Sequence, residues 1–365
     1  MYHARMRLLC LLGLVACGAD EQPAVPTTML VEIDLGTGTA APFTAQAPVD
    51  VGADAISLTV VAESDGAALV SIEIEAPDGE RIAKADDPFG SKNPVFVSTR
   101  VTVAQVPIHP GVELVAGRYL VRALYNGVEA TVRLRAFVKL PLEDGLDVDA
   151  EGQVLALTLL HATGSVEPGD EILERAVERA ADVWADVDVR FEEVSEHVLG
   201  DLGPVTDAGQ DLDRLLERSA GLSDGAIPVF VVEELLGGVP PESLAGLTAT
   251  VPLPPVEGTP RSGIVLSASM LRRFPDEMGQ ILAHEIGHAL GLFHTSEREG
   301  LEHDPLADTS ECNAEDDTND DGTVGIPECR GRGAENLMFW ACCASTEPQI
   351  TTDQRFVALR SALAR

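Results

Sequence analysis

The sequence predicts two domains, an all-β sandwich followed by a mixed α/β domain, and three observations carry that expectation. Short apolar segments alternate with polar residues and turns from about Met29 to Leu140. Beyond about Gly152 the period changes, and continuous apolar runs alternate with stretches of helical spacing. Between them, Pro141 to Ala150 is an acidic, glycine-containing joint.

The β region, 29–140, contains the strand-like runs Ile56 to Val61, Ala68 to Ile74, Val95 to Val97, Tyr119 to Leu124 and Ala130 to Leu134. Pro77-Asp78-Gly79 is turn chemistry, and Asn126-Gly127 falls between two runs as a tight hairpin would. Regularly spaced short strands with turn signals indicate a sandwich. His109, between Pro107 and Pro110, reads as a solvated loop histidine.

In the second domain, 151–365, Val154 to Leu160, Val187 to Phe191, Ile227 to Val232 and Gly263 to Ala268 read as strands, and Asp170 to Val187 contains a helix. Asp276 is placed to cap a further helix from about Glu277 to Leu290, which Gly291 would end.

The first residues are an address. Arg5 and Arg7 precede an apolar run, Leu8 to Val15, too short to span a bilayer, so 1–16 reads as a secretory signal peptide. Leu14-Val15-Ala16-Cys17 resembles a bacterial lipobox, which would make Cys17 the lipidated first residue and 17–28 a tether; an ordinary signal with an incidental cysteine is the alternative. The expected location is the bacterial cell envelope, or otherwise outside the cell, with the membrane met only through that lipid. Sixty acidic against 25 basic residues, a formal charge of −35, leave no basic surface for nucleic acid.

Export also bears on the cysteines. With Cys10 removed and Cys17 acylated, Cys312, Cys329, Cys342 and Cys343 remain, enough for two disulfides. Direct pairing of the neighbours Cys342 and Cys343 is geometrically disfavoured, so each is expected to pair with Cys312 or Cys329.

The helix expected over 277–290 contains His284-Glu285-Ile286-Gly287-His288. Two histidines four apart share a helical face and reach one zinc ion, with the glutamate beside a metal-bound water. Gly291 turns the chain and His294, three residues on, returns to the same metal. Three neutral nitrogens leave a fourth position open, as catalytic rather than structural zinc sites do. A lone HExxH arises by chance in on the order of 1% of such chains, and the added Gly291 and His294 make coincidence rarer by about two to three further orders of magnitude.

The run from His284 to His294 resembles the metzincin signature, and Asn336-Leu337-Met338 looks like the Met-turn of that clan. Within the clan, His294-Thr295, Asp304-Pro305-Leu306-Ala307-Asp308-Thr309, the cysteines and Thr351-Thr352-Asp353-Gln354 are similar to bacterial pappalysin-like proteases. The likeness covers roughly Leu155 to Arg365 and is specific from about Ala283 onward. It implies a metzincin-type catalytic domain and a zinc endopeptidase acting on proteins or peptides, with Glu285 as general base. It also implies an extended substrate along an edge strand, for which Ala245 to Leu253 or Gly263 to Ala268 would serve. One departure stands out: the family's tyrosine two residues after the Met-turn methionine is Trp340 here, and no tyrosine follows Tyr125.

Asp317 to Glu328 fits a 12-residue calcium loop, with oxygen side chains at Asp317, Asn319 and Asp321, glycine at 322, Thr323 next and Glu328 last. A structural calcium ion is therefore expected beside the catalytic zinc. The competing functional class is a surface binding protein or adhesin with structural metals; a zinc hydrolase of non-peptide substrates is a third.

Overall fold

The computed structural model describes residues 26–143, 145–201, 205–206, 210–223, 225–238 and 242–365. The expected signal peptide, Cys17 and most of the tether lie outside them. Among the described residues no helix is long and apolar enough to cross a membrane.

Nine strands come first: β1 (Thr28–Ala40), β2 (Ala47–Val51), β3 (Ser57–Ser64), β4 (Leu69–Glu75), β5 (Arg81–Ala83), β6 (Ser98–Thr99), β7 (Val101–Val106), β8 (Gly117–Tyr125) and β9 (Ala130–Pro141). They form two antiparallel sheets, β1-β9-β3-β7 and β2-β8-β4-β5, with β6 beside β4. Alternate residues of both sheets meet in one core: Leu58, Val60 and Ala62 of β3, Ile72 and Ile74 of β4, Val121 and Ala123 of β8, and Leu134 and Ala136 of β9. This period of two places one face of each strand away from water.

Two local expectations for this region fail. Val95 to Val97 is not a strand, because Val95 donates instead to the Pro88 carbonyl within its own loop. Asn126-Gly127 does not close a hairpin, because β8 and β9 belong to different sheets. The Asn126 N–H continues towards β4, donating to the Leu69 carbonyl at 2.9 Å, while the chain crosses to β9.

The joint carries a helical turn, α1 (Val148–Glu151), capped by Asp147. The remaining elements are β10 (Gln153–His161), α2 (Glu171–Ala185), β11 (Val189–Val198), β12 (Val205–Thr206), α3 (Gln210–Leu216), β13 (Ile227–Val232), β14 (Leu235–Gly237), β15 (Glu242–Ser243), β16 (Gly246–Thr248), β17 (Ile264–Ser267), α4 (Ala268–Arg273), α5 (Met278–Leu290), α6 (Ile326–Cys329) and α7 (Thr352–Arg360). Five strands make a sheet of order β11-β10-β13-β17-β16. The first four run parallel, and β16 lies antiparallel at the edge. The chain is thus a mixed α/β, strand-rich protein with several sheets.

Asp170 caps α2 by accepting from the N–H groups of Ile172 and Leu173, as its position suggested. Asp276 does not cap α5. Glu277 holds that place without a side-chain bond, and the first turn is closed by the Met278 N–H donating to the Phe274 carbonyl. Every residue of α5 except Ile281 and His288 is buried, so this is a core helix, apolar almost all round. Trp184, fully buried on α2, donates its indole N–H to the Ala283 carbonyl of α5 at 3.1 Å.

The disulfides are Cys312–Cys329 and Cys342–Cys343, which corrects the expectation that neighbours would not pair. Cys343 has φ 82°, a left-handed backbone that turns its side chain back towards Cys342, whereas the buried Cys312 and Cys329 face each other across their loop.

Candidate metal centre

Helix α5 presents His284 and His288 one turn apart, and Gly291 ends it with φ 107°, a left-handed conformation that glycine adopts without a Cβ clash. The chain then reverses, and the His294 Nε2 comes to 3.0 Å from that of His288 and 3.3 Å from that of His284. All three Nδ1 atoms face oxygen acceptors on their outer sides: Leu337 O for His284 and Leu292 O for His288, both at 2.7 Å, and Glu297 Oε1 for His294 at 3.0 Å. Since the Nδ1 hydrogens are engaged there, the three Nε2 atoms carry lone pairs, and their close approach is repulsive unless a cation lies between them.

Geometry and protonation both suit zinc. Two nitrogens on a tetrahedral zinc at about 2.0–2.1 Å are separated by about 3.3 Å. Burial pushes the His284 pKa down to about 3 and that of His288 well below its usual value, with His294 adding to both shifts, so both rings are neutral near pH 7. Among the described residues these three form the one cluster of metal-ligating side chains in which the atoms converge.

Glu285 lies in the same cleft, buried, and its pKa is raised to about 7 chiefly by desolvation. Hydrogen bonds from Thr248 oppose that shift. The Thr248 hydroxyl lies 2.7 Å from Glu285 Oε2 and the same distance from the Glu285 carbonyl, and its single proton serves one of them at a time. Thr248 ends β16, the edge strand, so the carboxylate is positioned by the strand that borders the cleft. Of the two expected strand segments, Ala245 to Leu253 contains this edge, whereas β17 lies inside the sheet between β13 and β16.

Met338 is fully buried against Gly287, which lies between Glu285 and His288 on α5. A Cβ on Gly287 would fall 2.3 Å from the Met338 sulfur, so the bare backbone at this position makes room for it. Trp340 also lines the cleft, but its indole N–H donates to the Val324 carbonyl at 2.7 Å and is not directed to a reacting group.

The loop 317–328 does not bring its carboxylates together. Asp317 accepts from the N–H groups of Asp320 and Gly322, Asn319 from that of Asp321, and Asp321 from Thr323. Glu328 accepts from Thr318 and Gly325, one carboxylate oxygen to each. Sequence reasoning missed Thr248, Glu297 and the carbonyls of Leu337 and Leu292. Glu297, three residues after His294, carried a readable signal; the others depend on contacts distant in sequence or on backbone direction.

No protein-family model and no curated protein matches the chain. Solved structures similar to it include metalloproteinase-II from Bacteroides fragilis, at 11% identity and TM-score 0.35, with 61% of each chain covered. Archaemetzincin from Methanopyrus kandleri matches at 18% identity and TM-score 0.27, over 40% of this chain and 78% of that one. A family two carbohydrate esterase from Clostridium thermocellum matches at 9% identity and TM-score 0.19, over 56% and 65%. The match therefore spans under two thirds of the Bacteroides protein, and none of these likenesses transfers a role to this chain.

Proposed function

We propose that this chain is a zinc-dependent endopeptidase of metzincin type, similar to bacterial pappalysin-like proteases, in which His284, His288 and His294 hold the metal and Glu285 is the general base. The single observation that carries the reading is the convergence of three histidine Nε2 atoms in a cleft shared with a buried carboxylate. Zinc held there would lower the pKa of a bound water towards neutrality and polarise the scissile carbonyl. Glu285 accepts the proton of the attacking water and passes it to the leaving amine. The Thr248 hydroxyl, 2.7 Å from Oε2, orients the carboxylate for that transfer. The substrate main chain adds to β16, which lies at the edge of the sheet beside the base.

The two N-terminal sheets, with their shared core, are read as a β-sandwich domain of about residues 29–140, and the leader as that of an envelope lipoprotein anchored at Cys17. For the loop 317–328 the structural calcium reading rests on the sequence spacing of Asp317, Asn319, Asp321, Thr323 and Glu328 alone. Calcium binding would draw Glu328 away from the Gly325 N–H.

Casein digestion tests the main reading. The zinc-loaded protein cleaves casein, a chelator stops it and added zinc restores it. Glu285→Ala retains stoichiometric zinc with cleavage reduced by about 10²- to 10⁴-fold; a variant that digests casein at the parent rate would show that Glu285 is not the base. Calcium removal at constant zinc lowers the melting temperature if the loop binds the ion, and unchanged melting removes that assignment.

A further inference from the structure

The cleft holding His284, Glu285, His288 and His294 is about 630 Å³, and the C-terminal half of the chain encloses only part of it. Phe89, Pro94 and Phe96, from the N-terminal part of the chain, line it together with Leu247, Phe293 and Trp340. All three belong to the connection between β5 and β6. We propose that this loop is a specificity-determining wall of the active site, and that it receives a large apolar or aromatic side chain of an extended peptide laid along β16. The proposal rests on the peptidase reading.

Three observations support it. Phe89 is 56% exposed, an aromatic ring presented to water beside the metal centre, which burial against a substrate side chain would stabilise. The loop is also built to hold its shape. Asn93, fully buried, accepts from the Ile108 N–H through Oδ1 at 3.1 Å, donates from Nδ2 to the Gln105 carbonyl at 2.8 Å, and donates from its own N–H to the Ile82 carbonyl at 2.8 Å. His109 accepts from the Gly111 N–H at Nδ1, which fixes the tautomer that donates from Nε2 to the Lys92 carbonyl at 2.7 Å. A wall held in this way loses little conformational entropy when it is covered.

The loop is finally locked to the catalytic half. Ile108 packs in the core that contains α5, and a Cβ on Gly291 would lie 3.2 Å from it. Arg261 donates to the Ser98 hydroxyl at 3.2 Å and the Thr99 hydroxyl at 2.7 Å, at the end of the same loop. The edge strand β16, whose Leu247 and Thr248 line the same cleft, suits an extended strand as occupant, and Glu297 and Glu302 in the cleft disfavour acidic flanks.

The test uses the full zinc-loaded chain and two sets of short fluorescent peptides, alike except that phenylalanine is stepped through each position in one set and serine in the other. The pair that differs most in binding to zinc-loaded Glu285→Ala is taken forward. In Phe89→Ala/Phe96→Ala the ratio of their kcat/KM values falls by roughly 10- to 100-fold, the effect of leaving one large apolar side chain uncovered. Phe89→Leu/Phe96→Leu keeps most of the ratio. An unchanged ratio in the alanine variant, with unaltered melting, overturns the proposal while leaving the peptidase intact. Binding of the same peptides to zinc-loaded Glu285→Ala separates the two claims: discrimination that the wall variant abolishes, without any cleavage by the parent chain, sinks the peptidase reading alone. Absence of both cleavage and discrimination sinks both.

Discussion

At the scale of residues, the candidate site is a set of side chains oriented by their outer partners. His294 donates from Nδ1 to Glu297, a carboxylate that orients the ring. Glu297→Gln keeps the shape but removes the charge, and zinc affinity measured by competition with a chromogenic chelator is expected to fall about 10- to 100-fold. Glu285 supplies a pH test in the metal-free protein. Its pKa is raised from 4.5 to about 7, so the folded state binds more protons than the unfolded state between those values, and the stability it contributes declines as pH rises through that window. Glu285→Gln cannot titrate. The melting temperature of the zinc-free variant relative to the zinc-free parent should therefore be higher at pH 7.5 than at pH 5, and a difference independent of pH would refute the buried, raised carboxyl.

Helix α5 and the segments around it set the geometry at the next scale. The helix is buried because it is apolar almost all round, and that burial keeps His284 and His288 neutral. Gly287 and Met338 are coupled by contact, since a methyl group at 287 meets the methionine sulfur. Gly287→Ala is expected to destabilise by roughly 1–3 kcal/mol through overpacking. Met338→Ala leaves a void at about 2–5 kcal/mol. Together they should cost less than the sum, because the added methyl fills part of the void. Denaturant melts of the two single variants and the double close this cycle; strict additivity would mean that the two groups do not touch.

Across the whole molecule, the N-terminal sheets and the C-terminal half share buried polar contacts that neither could satisfy alone. Lys139 of β9 is 1% exposed and donates from Nζ to the carbonyls of Leu359, Ser361 and Ala364 at 2.7, 3.0 and 2.6 Å. Burial and the nearby Arg360 and Arg365 push its pKa down, yet three acceptors around one nitrogen match the three N–H groups of the ammonium form, at the end of α7 where carbonyls favour a cation. Lys139→Met leaves those carbonyls without partners and is expected to lower stability by roughly 3 kcal/mol or more in denaturant melts. A neutral result would show that water replaces the ammonium and that the two halves are not joined there. Gln105 donates to the Val357 carbonyl at 3.2 Å and the Thr28 hydroxyl to Gln153 at 3.0 Å, so separating the halves would expose several polar groups at once.

Taken by itself, the sequence determined what local spacing encodes: the period of two that builds the N-terminal sheets, the helix that places His284 and His288 one turn apart, and the glycine that returns His294. These depend on residues within a few positions of one another, so they are legible from order alone. Tertiary structure decided what depends on contacts between distant segments: which sheet each of β8 and β9 joins, which cysteines pair, that Thr248 holds Glu285, and that Phe89 and Phe96 stand in the metal cleft. No local period records these, because each arises where two surfaces, separately shaped by their own sequences, pack together and exclude water.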